Sequence, residues 1–164
     1  MNKTELNTQL QELQAARPLT WGKVISLLKR QFDNWALHEL TQQGYEEFKM
    51  AYMPVLMNIH PDGITNNELA RKARVTKQAM SKVIKELIEL DFVVTETDSH
   101  DKRSSIIHLT EKGKKLVIDA RQKVCELDKE YEELLGKEEF AVLKEQLVTI
   151  IKCHDEKHGL VGCF

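Results

Sequence analysis

Cysteine is scarce in this 164-residue chain: there are three, Cys125, Cys153 and Cys163. An odd number without close pairing is no disulfide framework, so free thiols in a reducing compartment are expected. Three prolines and seven glycines are too few for a collagen-like or low-complexity chain. No apolar run approaches the roughly 20 residues that span a bilayer, and Met1-Asn2-Lys3-Thr4-Glu5 leads into none. Neither a secretory leader nor a membrane partner is expected, and the cytoplasm is the expected location. A Gly-rich phosphate loop, a paired-carboxylate motif and a Ser/His/Asp signature are all missing, so neither enzymatic activity nor a cofactor is expected. One-signed charge is missing too, since the formal net charge is −2.

What is present is an apolar content of 41%, enough to bury a core, and 30% charged residues with Glu and Lys at helical spacing. The fold expected is mostly α. The charge is also unevenly distributed. From Arg71 to Lys85 the chain carries six basic side chains, Arg71, Lys72, Arg74, Lys77, Lys82 and Lys85, and no acidic one, whereas Glu126 to Glu145 is dominated by Glu and Asp. A nucleic-acid partner needs such concentration more than it needs net charge.

Residues 1–17 are polar with scattered leucines and suit a short helix or a frayed arm. Ile25, Leu28, Phe32 and Trp35 give a helical stripe from Pro18 or Leu19 to about Gln42, with Gly44 as its stop. A second, short helix starts near Ala51, because Pro54 is tolerated only in a first turn. Thr65-Asn66-Asn67-Glu68 has capping-box spacing and predicts a helix over 66–72. Ala73-Arg74-Val75 is a turn, and Thr76 caps a helix to about Leu90. Phe92–Thr97 and Ser104–Leu109 read as a hairpin, a candidate wing. Thr110 caps a long helix with the stripe Leu116, Ala120, Val124, Leu127, Tyr131 and Leu134, ending at Gly136; Phe140, Leu143, Leu147, Ile150 and His154 continue in a last helix.

On the helix after Thr76, the residues Met80, Val83, Ile84 and Leu87 form the buried face. Lys77, Gln78, Ser81, Lys82 and Lys85 fall on the other side as one stripe of donors. Lysine reaches guanine acceptors or phosphates, glutamine pairs with adenine, and the helix amino end favours phosphate. Any solvated helix can carry such a face. What favours a duplex is the order of elements: capped helix, tight turn, basic helix, hairpin with Lys102 and Arg103 near its tip, then a long helix.

Thr65 to Leu116 resembles the core of the MarR family of winged helix-turn-helix regulators. The resemblance lies in Asn67-Glu68-Leu69-Ala70, in Val75-Thr76-Lys77-Gln78-Ala79-Met80-Ser81-Lys82, in Asp98, Asp101 and Arg103, and in Leu109-Thr110-Glu111-Lys112-Gly113. It implies a winged helix-turn-helix core with a small β wing, flanked by long N- and C-terminal dimerisation helices. One domain over 1–164 would hold dimerisation helices at 18–44 and 111–158 and a DNA-binding lobe at 50–110. It implies a homodimeric repressor on a palindromic operator of double-stranded DNA, released by a small aromatic or anionic effector. Thr76, Lys77, Gln78, Ser81 and Lys82 would contact the major groove and phosphates, and Arg103 the minor groove, held by an ion pair with Asp101; Thr65, Lys85, Lys102 and Ser104 complete the candidate DNA-binding set. Two departures stand out. Asp91 replaces a usual glycine, tolerable in a left-handed conformation at about 1 kcal/mol, and Thr95 replaces a usual basic residue.

Other readings stay open. A winged-helix protein-interaction module without DNA binding would fit the same fold. Cys153, His154, His158 and Cys163 could suggest a metal- or thiol-responsive regulator, although their spacing matches no strong metal motif and no metal is expected; Cys125 and His154 could equally fill apolar stripes. Trp21, Trp35 and Tyr52 are candidate effector-pocket walls or plain core.

Overall fold

The computed structural model describes residues 2–16, 19–73, 75–97 and 105–158. They fall into two compact units, the first ending at Trp35 and the second beginning at Ala36.

The first unit holds α1 (Lys3–Ala16) and most of α2 (Trp21–Gln42). Asn2 starts α1 as a reciprocal cap: the Glu5 amide donates to Asn2 Oδ1 and the Asn2 amide to Glu5 Oε2, both at 2.9 Å. α2 begins at Trp21, two residues later than Leu19, because Thr20 supplies the cap: its Oγ1 accepts from the Lys23 amide at 3.4 Å. Leu6, Leu10 and Leu13 of α1 and Ile25 and Leu28 of α2 are all exposed.

In the second unit α2 ends before Gly44, whose φ of 90° lets the chain reverse. A single 3-10 turn at Met50–Tyr52 feeds α3 (Met53–Leu56), where Pro54 falls in the first turn. Next come β1 (Ile64–Thr65), α4 (Asn66–Lys72), α5 (Lys77–Glu89), β2 (Val93–Thr97), β3 (Ser105–Leu109), α6 (Glu111–Leu135) and α7 (Lys137–His158). The protein is thus mostly helical, with one small antiparallel sheet of order β1-β3-β2.

β1 is the element with no counterpart in the sequence reading. Two residues show no alternation, and Thr65 is already accounted for as a helix cap; only the pairing of Ile64 with Ile107 and Thr65 with Ile106 makes a strand of them. β2 and β3 pair from Val93–Leu109 to Thr97–Ser105. The core gathers Leu56, Leu69, Met80, Leu87, Phe92, Ile107 and Leu116, each fully buried. A leucine so placed contributes about 1.5–3 kcal/mol relative to exposure.

The Leu109–Gly113 motif clasps the chain between α5 and β2. Thr110 Oγ1 accepts from the Gly113 amide at 3.0 Å, capping α6, and donates to the Asp91 carbonyl at 2.6 Å. Lys112 Nζ donates to the Leu90 carbonyl at 2.8 Å, at the negative end of α5, and lies 4.7 Å from the Phe92 ring centre. A Cβ on Gly113 would come within 2.0 Å of the Phe92 carbonyl oxygen, so this close approach requires glycine. Asp91 takes the left-handed conformation, φ 59°. The departure from glycine at this position is therefore accommodated.

α6 and α7 form a helical hairpin around Gly136, with Tyr131 edge-on to Phe140 and Lys144 3.1 Å from Asp128. Much of their predicted stripe is open to solvent, Leu134 at 75%. Cys125 is exposed, so it does not fill an apolar stripe within this chain. Among the described residues no group of three or more His, Cys, Asp or Glu is gathered as for a metal ion; Cys163 and the His158 side chain lie outside them. No described helix is long and apolar enough to cross a membrane.

Candidate nucleic-acid interface

The candidate surface is built on two short helices that local chemistry starts and stops. Thr65 Oγ1 accepts from the Glu68 amide at 3.2 Å and Thr76 Oγ1 from the Ala79 amide at 3.1 Å. Between them the Val75 amide donates to the Ala70 carbonyl at 3.1 Å and closes the turn. Leu69 and Ala70 of α4 pack with Met80, Ile84 and Leu87 of α5 in one core, which fixes how α5 projects.

Thr76, Lys77, Gln78, Ser81, Lys82 and Lys85 are all exposed. Among the described residues Lys77, Lys82 and Lys85 make no ion pair within 4.0 Å, and the first turn of α5 holds no acidic residue. The free amides there and the uncompensated ammonium groups make one cationic surface. Thr65 sits half-buried where β1 runs into α4. Ser81 differs from the others. Its Oγ accepts from Asn66 Nδ2 at 2.9 Å and donates to the Lys77 carbonyl at 2.9 Å, so this hydroxyl braces α4 against α5 and its proton is already committed.

Thr95 lies exposed on β2, opposite Ile107. The hairpin tip, with Asp98, Asp101, Lys102, Arg103 and Ser104, lies outside the described residues, and so does Arg74 in the turn.

Sequence reasoning missed a polar network at the flank of α5. Glu86 accepts a short hydrogen bond from the Tyr52 hydroxyl and another from Lys49 Nζ at 3.2 Å. The Tyr52 bond first, then Lys49, holds the Glu86 carboxyl below the usual carboxylate range. Tyr52 is therefore a core residue with a spent hydroxyl, not an open pocket wall. Tyr45, likewise buried, donates to Asp119 of α6 at 2.7 Å; burial first and Asp119 next raise its phenol. Sequence separations of 34 to 74 residues left no local signal for either pair.

The fold is similar to a solved structure of S. aureus MepR in complex with DNA, with a TM-score of 0.68 at 20% identity over 83% of this chain and 98% of that one. Residues 48–104, from the 3-10 turn to the hairpin tip, match the MarR family model. Over that segment the chain is similar to the MarR family. Among its relatives in sequence, the exopolysaccharide II synthesis transcriptional activator ExpG of Rhizobium meliloti (strain 1021) is 30% identical over 101 residues, 62% of this chain and 52% of that protein. The HTH-type transcriptional regulator FarR of Neisseria gonorrhoeae is 30% identical over 88 residues, 54% of this chain and 60% of FarR. The chain thus spans little more than half the length of these relatives.

Proposed function

We propose that this protein is a transcription regulator that binds double-stranded DNA as a homodimer, a repressor of a palindromic operator released by a small aromatic or anionic effector. One observation carries the reading. The exposed face of α5 presents Thr76, Lys77, Gln78, Lys82 and Lys85 over its first turns, with the helix's two glutamates, Glu86 and Glu89, confined to its last turn. A duplex major groove admits such a helix, whose cations meet phosphates while Gln78 reads bases. An interaction module without DNA binding would have no need to keep the amino-terminal turns of this face free of acidic residues. The names of ExpG and FarR agree with a transcription regulator, and the DNA complex of MepR with DNA binding; ExpG is named as an activator, so the sign of regulation rests on the reporter assay below.

Dimerisation is supported by the terminal helices: Leu6, Leu10 and Leu13 of α1 and Val142, Leu143, Ile150 and Ile151 of α7 are exposed in the single chain. One recognition helix reads few base pairs, and two copies would engage half-sites about 34–36 Å apart. The domain would then comprise the lobe 50–110 with dimerisation helices at 18–44 and 111–158, and the wing would add Lys102, Arg103 and Ser104. Selection from random duplexes with purified protein across a salt series tests this. The expected result is a palindromic consensus whose affinity falls steeply with salt; enrichment of no duplex overturns it. A promoter-reporter assay then gives the sign, repression being expected.

A further inference from the structure

The cations of α5 suit a DNA contact, but the carboxylates of its last turn do not; of the two, Glu86 stands one helical turn beyond Lys82 and Glu89 one turn beyond Lys85. Opposite charges four residues apart on a helix attract. A mobile Glu86 would therefore draw the Lys82 ammonium away from a phosphate and oppose the phosphate itself. In the structure the carboxylate is held elsewhere. The same oxygen, Oε2, accepts from the Tyr52 hydroxyl and from Lys49 Nζ. Tyr52 is 3% exposed and anchored by Phe48 edge-on to its ring, so the hydroxyl is presented by a rigid support. Lys49 Nζ also lies 5.3 Å from the Tyr52 ring centre. Lys82, meanwhile, is exposed with no ion pair among the described residues, though its charge still acts on Glu86 through space.

We infer that Lys49 and Tyr52 are positioning residues that sequester the Glu86 carboxylate and so leave Lys82 free for a DNA backbone phosphate. The inference rests on the DNA-binding reading and adds how the surface is kept available. Because Glu86 stays ionised at neutral pH, where it is held matters. Lys49 acts through Glu86 and itself touches no phosphate.

Binding to the selected duplex across a salt series, with full-length protein, tests it. Lys49→Met keeps the stem and removes the charge; it should weaken binding about three- to fivefold and make the salt slope shallower by about one phosphate contact. Adding Glu86→Gln should restore both, and in a Lys82→Met background Lys49→Met should have a smaller effect, the part that remains being the repulsion of the phosphate by Glu86. Tyr52→Phe, which keeps the core ring, should weaken binding in the same direction and be rescued by the same Glu86→Gln. Wild-type affinity in Lys49→Met overturns the inference. So does failure of Glu86→Gln to rescue it, which would make Lys49 a direct phosphate contact. Absence of binding by the wild type removes the DNA-binding reading itself, an outcome distinct from either.

Discussion

The helix-turn-helix with its sheet and the terminal helices are both built from amphipathic, heavily charged elements, yet the two regions end up in opposite states. Around α4, α5 and β3, apolar residues at helical and strand spacing meet one another: Leu69, Leu87, Ile107 and Leu116 are wholly buried. Along α1 and α7 the same kind of stripe meets solvent, with Leu13 at 68% exposure and Val142 at 50%. Amphipathic pattern alone specifies a face to be covered; it does not specify by what. The centre is complete within one chain, whereas the ends have apolar faces in excess of what this chain covers, which is the physical basis of the homodimer proposal.

Core truncation in the centre should break the contrast most strongly. Leu87→Ala, at a site with 0% exposure, should cost about 2–5 kcal/mol in denaturant unfolding, with loss of the cooperative transition at the upper end. A cost below 1 kcal/mol would mean that the centre is not the packed unit described.

The next effect is pH-dependent. Tyr45→Phe removes a buried bond to Asp119 and should cost about 1–2 kcal/mol at pH 7. The folded phenol is raised above its ordinary value of 10.0, so its contribution is complete below that value and is lost as pH rises towards the folded one. The gap between wild type and Tyr45→Phe should therefore narrow above pH 10; a gap that widens there would contradict the raised phenol.

Asp91→Gly should move stability the other way. It releases a left-handed non-glycine residue and should stabilise by up to about 1 kcal/mol, less the added freedom of the unfolded chain. Thermal unfolding of the variant checks the sign.

Smallest of all in the dilute single chain should be Leu13→Asn on α1, within about 0.5 kcal/mol. The same change should weaken self-association measured by sedimentation, and that separation of effects is what distinguishes the ends from the centre. A large loss of stability at a concentration too low for association would erase the comparison.

Much of the fold was legible because its signals are local. Thr65, Thr76 and Thr110 each accept an amide three residues on, so composition at one position announces a helix start. Gly44 and Gly136 mark stops by their positive φ, and Asp91 was recognisable as a strained joint by what it replaced. The cationic stripe of α5 needed only helical periodicity. Ser81 shows the limit of that reasoning. Its place on the exposed face was readable, but its bond to Asn66, fifteen residues away, was not, because a hydroxyl on a surface carries no mark of its partner.

By itself the amino-acid order determined the elements, their caps and the outward face of α5, since each depends on neighbours within about one helical turn. Tertiary structure alone decided that Ile64–Thr65 becomes a strand, that Tyr45 meets Asp119, and that Glu86 is held by Tyr52 and Lys49. Those outcomes join groups far apart in the chain, and only the shared core, by fixing how α5, the 3-10 turn and α6 lie against one another, brings them within hydrogen-bonding distance.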